Sequence, residues 1–390
     1  MNQTVIRLAA RGDGITDAGQ FFKGTAPGDI IEANGSAIAG PHRAIPPCRH
    51  YAVCGSCQLQ HVDDASYADF VAERIMRALA EHGVDAPTFA PVHLSAPQTR
   101  RRATLRAERR GKQVILGFNE GASHSIVDLR ECHVLLPELI ALLVPLRRLL
   151  AAVMPERRRA TVTLTRVDQG IDLLLAGFEL DGLTAIEALN VFAQTHGLAR
   201  LSLDEGLGPS TRWAPQTPTI TLGSVQVALP DGAFLQAPAD GEAALVQAVR
   251  ETVGDASTTV DLFAGLGTFA LSLNGRVKAV EGSRDAALAL SATRRVAVEH
   301  RDLFRRPLTA HELNMFEAIV LDPPRAGARE QVAELSASGV PRIAYVSCNP
   351  ATFARDARIL VDGGYSLARV VPVGQFRWST HVELAATFRR

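Results

Sequence analysis

The second half of the chain alternates short apolar runs with helical segments, and few folds accept such a pattern. From about residue 219 onward, the apolar runs predict β-strands at 258–263, 277–281, 318–321, 343–347 and 382–388. The segments between them predict helices at about 240–253, 284–296, 328–337 and 351–362. Strands and helices that alternate with short loops are typical of a mostly parallel, doubly wound sheet, so we assign residues 218–390 to the α/β class.

The first 217 residues predict two further domains. Residues 1–42 form a small β module, because a strand pattern at 5–8 is followed by the turn sequences Gly12-Asp13-Gly14 and Ala26-Pro27-Gly28-Asp29. Residues 43–217 mix β-like runs with helical patterns and predict an α+β central domain.

Within the central domain, a Pro- and Cys-rich loop at 45–61 precedes a helix at about 66–82, for which Ser66 is the expected N-cap. One apolar helix is expected at about 136–154. The stretch 202–218 is rich in Gly and Pro and predicts a linker or an irregular crossing.

The composition limits the partners and the compartment. A chain of 390 residues with 47% hydrophobic residues can form two or three domains with substantial cores. Its formal net charge is zero, so binding to nucleic acid must come from local basic patches. We find no apolar run of about 18 residues and no signal-peptide core, so we expect a cytoplasmic protein with no membrane span. Structural disulfides are rare in that compartment, so the five cysteines need another explanation.

The segment 258–271, TTVDLFAGLGTFAL, predicts a cofactor-binding turn. A buried strand runs into Gly265-x-Gly267 and then into a helix, and the glycines allow a ligand to approach the backbone N–H groups at the helix N-terminus. Glu281 ends the next strand and can accept hydrogen bonds from ribose hydroxyls. Ala270 stands where a dinucleotide fingerprint has its last glycine, which favours S-adenosylmethionine (SAM); an ordinary βα turn is the alternative.

Two loops that follow neighbouring predicted strands carry further candidates. Asp322-Pro323-Pro324-Arg325 follows one strand, and Cys348 ends the next, so both should face the same crevice. Asn349 and Pro350 begin a helix, and we expect the helix N-terminus to lower the Cys348 pKa and favour the nucleophilic thiolate. The alternatives are a structural turn and a buried apolar cysteine.

The motif Thr380-His381-Val382-Glu383 opens the last predicted strand. A carboxylate at Glu383 could act as a general base. Taken alone, Glu383 could equally be a solvated surface residue and His381 a structural hydrogen-bonding residue.

Together, the Gly-x-Gly turn, DPPRAG, YVSCNPAT and THVE resemble the RNA uracil-C5 methyltransferases, over essentially the whole chain. The resemblance implies a Rossmann-like SAM methyltransferase domain, with Cys348 as the nucleophile and Glu383 as the base. RNA cytosine-C5 methyltransferases normally have a cysteine at the position of Pro324. Amino-methyltransferases with an Asp-Pro-Pro-Tyr loop need no nucleophilic cysteine, and here Arg325 replaces the tyrosine.

The resemblance also implies a set of SAM contacts around the predicted crevice. Gln236 lies in the sequence Phe234-Leu235-Gln236, which looks like the Phe-x-Gln element of the family. The implied cofactor residues are Gln236, Phe263, Gly265, Gly267, Thr268, Glu281, Asp302 and Asp322. In the segment that leads to Glu383, 376–379 (FRWS) departs from the more usual Phe-Pro-type sequence.

The remaining cysteines predict a metal centre. Cys48, Cys54 and Cys57 lie within ten residues and Cys132 follows later, and this spacing allows a Cys₄ zinc site or an iron–sulfur cluster. The segment resembles the iron–sulfur loop of the ribosomal-RNA branch of the family. That resemblance implies a [4Fe-4S] cluster on these four cysteines, with Ser56 where the family usually has glycine.

The densest basic region is 100–112, with seven basic residues against one acid, or +6 over 13 residues. In a neutral chain this favours phosphate contact, although a solvated face is the commoner reason for a charge run. Family members carry an Arg-rich strand here, which implies RNA contact by Arg100, Arg101 and Arg102. Residues 1–42 are similar to a TRAM domain, a small RNA-binding β-barrel.

We therefore expect a monomeric enzyme that makes 5-methyluridine in 23S ribosomal RNA, and the alternative substrate is transfer RNA. Bacterial tRNA enzymes of this family generally lack both the TRAM-like module and the cluster cysteines, which favours ribosomal RNA. Two other classes remain open: a non-catalytic RNA-binding protein with a vestigial methyltransferase domain, and a cluster-dependent redox protein.

Overall fold

A computed structural model describes residues 2–390, and its N-terminal part is a small antiparallel sheet. The strands are β1 (Gln3–Leu8), β2 (Gly14–Thr16), β3 (Phe21–Phe22), β4 (Ile30–Ile31) and β5 (Ala37–Ile38). They pair in the order β3-β2-β1-β4-β5. The buried carboxylate of Asp29 organises the turns, because it accepts hydrogen bonds of 2.7 Å from the backbone N–H groups of Ala26 and Gly40. The expected β module is confirmed.

The cysteine-rich loop leads into helix α1 (Asp64–Glu81). Its N-cap is Asp63, whose side chain accepts a hydrogen bond of 2.8 Å from the Ser66 backbone N–H. Ser66 as N-cap was therefore wrong, because the carboxylate three residues earlier caps the first turn. Two short strands follow, β6 (Thr88–Phe89) and β7 (His93–Leu94).

The central domain is built on a six-stranded sheet with helices against it. Its elements are β8 (Arg102–Arg110), β9 (Gln113–Gly117), α2 (Pro137–Ala141), α3 (Leu143–Val153), β10 (Arg159–Val167), β11 (Gly170–Ala176), α4 (Gly182–Thr195), β12 (Arg200–Asp204) and β13 (Pro209–Trp213). The strand order is β13-β12-β11-β10-β8-β9.

Two predictions for this domain need correction. The expected helix at 136–154 is divided at Leu142 into α2 and α3. The expected linker at 202–218 is wrong, because β12 and β13 pair antiparallel across a turn at Gly206 and Gly208. Both glycines have positive φ, so the residues that suggested a linker are those of a tight turn between strands.

The third part begins with a hairpin and ends in a nine-stranded sheet. Its elements are β14 (Thr219–Leu222), β15 (Val225–Ala228), α5 (Ala239–Val253), β16 (Thr258–Leu262), β17 (Arg276–Glu281), α6 (Arg284–Ala292), β18 (Ala297–His300), α7 (Ala310–Leu313), β19 (Ala318–Leu321), α8 (Arg329–Ser336), β20 (Arg342–Ser347), α9 (Pro350–Asp362), β21 (Ser366–Gly374) and β22 (Glu383–Arg389).

The large sheet confirms the α/β prediction. Its order is β18-β17-β16-β19-β20-β22-β21-β6, with β7 also paired to β21. The strands from β18 to β20 are parallel, whereas β22 runs antiparallel to β20 and β21. β18 and β21 were not predicted. The helix expected after the glycine turn is wrong: only a short 3-10 turn, Ala270–Ser272, follows it.

The buried faces of β16, β19 and β20 form the centre of one apolar core together with α8 and α9, and α1 packs against the same core. The central domain has its own core between its sheet and helices α2 to α4. None of the helices found in residues 2–390 is both long and apolar enough to cross a membrane.

Candidate active site

Five predicted site residues lie at the carboxyl edge of the large sheet. Glu281 ends β17, whereas Phe263, Asp322 and Cys348 directly follow β16, β19 and β20. Asp302 comes two residues after β18. Because these strands are parallel neighbours, their carboxyl ends open onto one crevice, the usual ligand site of such sheets.

The antiparallel strand β22 brings Glu383 to the same edge. Ser347, the last residue of β20, pairs with Leu384. The next position toward the edge is Cys348 on one strand and Glu383 on the other, so the two residues are neighbours across the strand ends. A thiol and a carboxyl group that are 35 residues apart in sequence (383 − 348) thus meet at one point of the fold.

Cys348 is half-buried where α9 begins, and the Asn349 side chain caps that helix by accepting a hydrogen bond of 3.2 Å from the Ala351 backbone N–H. The prediction that this position lowers the thiol pKa is wrong. Burial raises the pKa of Cys348 to about 11, and the negative charges of Glu383 and Asp322 add to the rise. The thiol is therefore protonated at neutral pH and must lose its proton before it can attack.

Two carboxyl groups beside the thiol titrate far above their ordinary range. Glu383 is 5% exposed, and burial raises its pKa to about 8; the charge of Asp322 adds to the rise and a hydrogen bond from Gln375 opposes it. Burial raises the pKa of Asp322 to about 7. Glu383 is thus not a solvated surface residue. Carboxyl groups with such pKa values can exchange protons with a substrate at neutral pH.

The glycine turn holds the side chain of Glu281 at the end of β17. Glu281 accepts hydrogen bonds from the backbone N–H groups of Gly265 at 2.7 Å and Ser283 at 2.6 Å. Gly267 has a φ of 91°, and a Cβ there would come within 2.6 Å of the Leu290 side chain. Only glycine fits this position, and Thr268 lies half-buried directly after it.

Phe304 is an aromatic residue at this edge that the sequence did not reveal. Its ring centroid lies 5.4 Å from that of Phe263, and the side chain is 44% exposed. Two tilted rings close to Glu281 offer an apolar surface to a flat ligand such as an adenine ring. The available signal was its position two residues after Asp302.

Gln375 is a second missed residue, and it links the two sides of the crevice. Its side-chain N–H donates a hydrogen bond of 3.0 Å to the side-chain oxygen of Gln236. Gln375 and Gln236 are 2% and 5% exposed, respectively. No motif spacing marks Gln375; it follows β21, where Val373 pairs with Glu383.

An open groove of about 460 Å³ lies between the central sheet and the loop that precedes Glu383. The residues lining it include Arg100, Arg102, Phe118, Phe234, Phe376 and His381. Phe234 is 69% exposed. Cationic and aromatic side chains in one groove are the combination that binds single-stranded nucleic acid.

His381 stands where the groove meets the crevice. Its ring lies against that of Phe376, with centroids 5.8 Å apart. Loss of hydration lowers the pKa of His381, and the positive charges of Arg325, Arg100 and Arg74 lower it further. The arginines around His381 thus come from α1, the central domain and the DPP loop.

The three predicted RNA-binding arginines have different surroundings. The Arg100 guanidinium lies 5.2 Å from the centre of the Phe376 ring. Arg101 donates hydrogen bonds to the Gln236 carbonyl oxygen at 3.1 Å and to the Glu242 carboxylate at 2.8 Å. Burial lowers the pKa of Arg102, whose Nε has no hydrogen-bond partner among the described residues. Arg101 therefore links the central domain to the α/β domain.

All four remaining cysteines line one cavity. Arg100, Arg377 and Ser379 line the same cavity. Burial raises the thiol pKa of each of them, that of Cys57 to about 12. Four thiols around one cavity are the donor set of a Cys₄ zinc or iron–sulfur site. Across residues 2–390, however, no three or more His, Cys, Asp or Glu side chains are arranged to hold a metal ion.

Comparisons with known proteins agree with the motifs. The family model described as tRNA (uracil-5-)-methyltransferase matches residues 291–390, which contain the DPP loop, Cys348 and Glu383. An uncharacterized RNA methyltransferase of Zymomonas mobilis is 49% identical, over 99% of each chain. The 23S rRNA (uracil(1939)-C(5))-methyltransferase RlmD of Edwardsiella ictaluri is 34% identical, over 89% of this chain and 82% of that one.

A solved structure with a similar fold is the tRNA (uracil-54, C5)-methyltransferase of Pyrococcus abyssi in complex with S-adenosyl-L-homocysteine. The alignment covers 100% of both chains, with a TM-score of 0.76 and 20% sequence identity. The likeness therefore extends to the whole arrangement of domains.

Proposed function

The chain belongs to the RNA uracil-C5 methyltransferase family and is a SAM-dependent enzyme, and from this premise we propose that it methylates carbon 5 of a uridine in 23S ribosomal RNA. The observation that carries the proposal is the meeting of Cys348, Asp322 and Glu383 at neighbouring strand ends. A thiol beside carboxyl groups that titrate near neutral pH is what covalent methylation of a pyrimidine ring needs.

In the proposed reaction, Cys348 attacks carbon 6 of the uracil ring. A base takes the thiol proton, the sulfur–C6 bond forms, and the C5–C6 π electrons move into an enolate. Carbon 5 then attacks the methyl carbon of SAM, whose bond to sulfur breaks and leaves S-adenosylhomocysteine. Glu383 takes the proton that C5 still carries, the C5–C6 double bond re-forms, and the C6–sulfur bond breaks with its electron pair returning to Cys348.

The raised pKa of Glu383 supports its role as that base. A carboxylate at the ordinary value of 4.5 would be a weak acceptor for the C5 proton, and a pKa of about 8 brings its basicity close to the working pH. The uracil must leave its stack to reach both the thiol and the methyl donor. The groove beside His381 is the proposed path for the RNA, with Arg100 and Arg102 as phosphate contacts.

The proposed SAM site lies along the carboxyl edge of β16 to β19. Glu281 would accept bonds from the ribose, and Phe263 would contact the adenine. The full proposed set is Gln236, Phe263, Gly265, Gly267, Thr268, Glu281, Asp302 and Asp322. Phe304, which lies against Phe263, joins this set because of its ring contact.

The substrate assignment is tested by transfer of labelled methyl groups. Unmodified ribosomal RNA and unmodified tRNA are incubated separately with SAM and the protein, and the RNA is digested to nucleosides. Labelled 5-methyluridine from ribosomal RNA alone is expected, in line with the relative that acts on 23S rRNA. Label from tRNA alone would overturn the substrate, and label from neither would overturn the proposed function.

The covalent step is tested with RNA that contains 5-fluorouridine, from which no C5 proton can be removed. Wild-type protein should form a complex with this RNA that resists denaturation, and Cys348→Ala should form none. With ordinary RNA, Glu383→Gln should accumulate the methylated adduct, because the last proton transfer is missing. Adduct formation by Cys348→Ala would contradict the assignment of the nucleophile.

We also propose that Cys48, Cys54, Cys57 and Cys132 hold a [4Fe-4S] cluster. The support is the gathering of four thiols around one half-enclosed cavity and the similarity of the loop to that of the ribosomal-RNA branch. If bound, the cluster would be held by the thiolates of these four cysteines. Anaerobically purified protein should contain iron and acid-labile sulfide, and Cys57→Ser should lose both while Cys348→Ser keeps them. Stoichiometric zinc without sulfide would overturn the cluster.

A further inference from the structure

The segment 376–380, which we call the base loop, runs from Gln375 toward Glu383 and is held by residues outside the large sheet. The carbonyl oxygen of Trp378 accepts two hydrogen bonds, from the backbone N–H groups of Gln58 at 2.8 Å and Leu59 at 2.9 Å. The backbone N–H of Thr380 donates to the Gln58 side-chain oxygen at 3.3 Å. Gln58 thus contacts the base loop at two points.

Helix α1 contributes a second hold on the same loop. The hydroxyl group of Tyr67 lies 3.2 Å from the carbonyl oxygens of both Phe376 and Ser379. Arg377 forms an ion pair with Asp64 at the start of that helix. The base loop is therefore held through its backbone carbonyl groups and through the Arg377 side chain.

The base loop has a conformation that needs such support. Trp378 has a φ of 59°, in the left-handed region, where a residue other than glycine loses about 1–2 kcal/mol. Its side chain is 7% exposed and packs with Cys57 and Val134, with Cys132 against the same cluster. The strained residue of the loop therefore shares one apolar cluster with Cys57, and Cys132 packs against that cluster.

Gln58 is in turn fixed by the cysteine loop. The side-chain N–H of Gln58 donates a hydrogen bond to the Gly55 carbonyl oxygen at 2.6 Å. The backbone carbonyl oxygen of Gln58 accepts a hydrogen bond from the Tyr51 hydroxyl, also at 2.6 Å. Gln58 directly follows Cys57, so any group that holds Cys57 also holds Gln58 in place.

We propose that Gln58 is a positioning residue for Glu383: it transmits the order of the cysteine loop to the base loop and so holds the general base beside Cys348. This inference rests on the proposed function and gives the cysteine centre a purpose within it. Methyl transfer needs Cys348, whereas release of the product needs the base as well. Loss of the contact should therefore slow breakdown of the covalent adduct more than its formation.

The test compares Gln58→Leu with Gln169→Leu, a matched control. Gln169 also uses both side-chain atoms, accepting from the Thr219 backbone N–H at 2.9 Å and donating to the Thr219 hydroxyl at 2.8 Å, and these bonds do not involve the base loop. In single turnovers with RNA and SAM, Gln58→Leu should form the adduct within about twofold of the wild-type rate and break it down about tenfold more slowly. Gln58→Glu, which keeps an acceptor for Thr380, should restore breakdown in part. Gln169→Leu should change neither rate.

Hydrogen exchange gives a readout that needs no RNA. The backbone N–H of Thr380 should exchange faster in Gln58→Leu and also in Cys57→Ser, but not in Gln169→Leu. If Gln58→Leu fails to fold, Tyr67→Phe removes the other hold and should show the same pair of effects. Unchanged exchange in the base loop, or equal slowing of adduct formation and breakdown, would overturn the inference. Absence of methylation by the wild type, with the exchange result intact, would instead overturn the proposed function.

Discussion

The side chain of Gln375 donates a hydrogen bond of 3.0 Å to the side chain of Gln236, and both residues are almost fully buried. Gln236 belongs to the Phe-x-Gln element that precedes α5, whereas Gln375 follows β21 and bonds to Glu383. One buried pair of amides thus joins the proposed methyl-donor side of the crevice to the base.

Replacing Gln375 by Leu should destabilise the protein and raise the pKa of Glu383. Gln236 would lose its partner in a buried position, which costs about 1–3 kcal/mol of the free energy of unfolding. The pKa of Glu383 should rise further, because the hydrogen bond that lowers it is gone. Urea unfolding and the pH dependence of adduct breakdown measure the two effects.

The matched control for this prediction is Gln331→Leu. Gln331 is 1% exposed and bonds to both backbone groups of Leu308, away from the crevice. It should lose comparable stability and leave the pH dependence unchanged. Equal pH profiles for Gln375→Leu and wild type would show that Gln375 does not act on Glu383.

The stability of Glu383→Gln relative to wild type should depend on pH. Burial raises the pKa of Glu383 from 4.5 to about 8, so the protonated form is the one favoured by folding. The stability it contributes is complete below pH 4.5 and is lost as the pH rises through 8. Glutamine is never charged, so its free energy of unfolding does not carry this loss. The stability of the variant relative to the wild type should therefore rise by about 3–5 kcal/mol between pH 4.5 and pH 9.

Thermal unfolding over that pH window measures the difference. Glu251→Gln is the control, because Glu251 is exposed and hydrogen bonds from Gln247 and Arg369 lower its pKa. That variant should show no gain toward high pH. A Glu383→Gln curve parallel to the wild type throughout would mean that the carboxyl group is charged in the folded protein at neutral pH.

Much of this fold follows from the sequence because its strands are buried on both faces. The apolar runs that became β19 and β20 are buried on both faces, so no polar face interrupts the pattern, and Asp322 and Cys348 directly follow these strands. β18 was missed because Ala297–His300 is a four-residue edge strand (AVEH) with no fully buried residue and therefore no apolar run. The turns of β12 and β13 suggested a linker because turn and linker sequences share the same Gly-rich composition.

The chemistry of the site could not be read from local sequence in the same way. A helix N-terminus lowers a thiol pKa, and the sequence shows that helix at Cys348. The negative charges that oppose this effect come from Asp322, 26 residues earlier (348 − 322), and Glu383, 35 residues later. Together with burial, these charges raise the pKa of Cys348. The contacts of Gln58 and Tyr67 with the base loop span more than 300 residues of sequence and leave no periodic signal.

The two glycines of the cofactor turn should respond differently to alanine. Both have positive φ, so each substitution strains the backbone by about 1 kcal/mol. A Cβ at Gly265 meets no heavy atom within 4 Å, whereas at Gly267 it would lie 2.6 Å from the Leu290 side chain. Gly267→Ala should therefore lose about 1–3 kcal/mol more stability than Gly265→Ala.

Calorimetric titration with SAM and thermal unfolding separate the two effects. Gly267→Ala should also weaken SAM binding, because the added Cβ would crowd the Leu290 and Leu271 side chains behind the turn. If both variants unfold at the same temperature, the close contact at Gly267 does not limit this turn.

Arg101 and Arg102 are adjacent in sequence, but alanine at Arg101 should reduce stability whereas alanine at Arg102 should reduce RNA binding. Arg101 pairs with Glu242, and the two side chains are 12% and 13% exposed, so Arg101→Ala leaves a buried carboxylate without its partner. A double-mutant cycle with Glu242→Ala should give a coupling of about 1–3 kcal/mol in urea unfolding.

Arg102 lines the groove, and Arg102→Ala should instead weaken RNA binding and reduce the slope of log K against log salt by about one. A salt slope that falls for Arg101→Ala and not for Arg102→Ala would reverse the two roles.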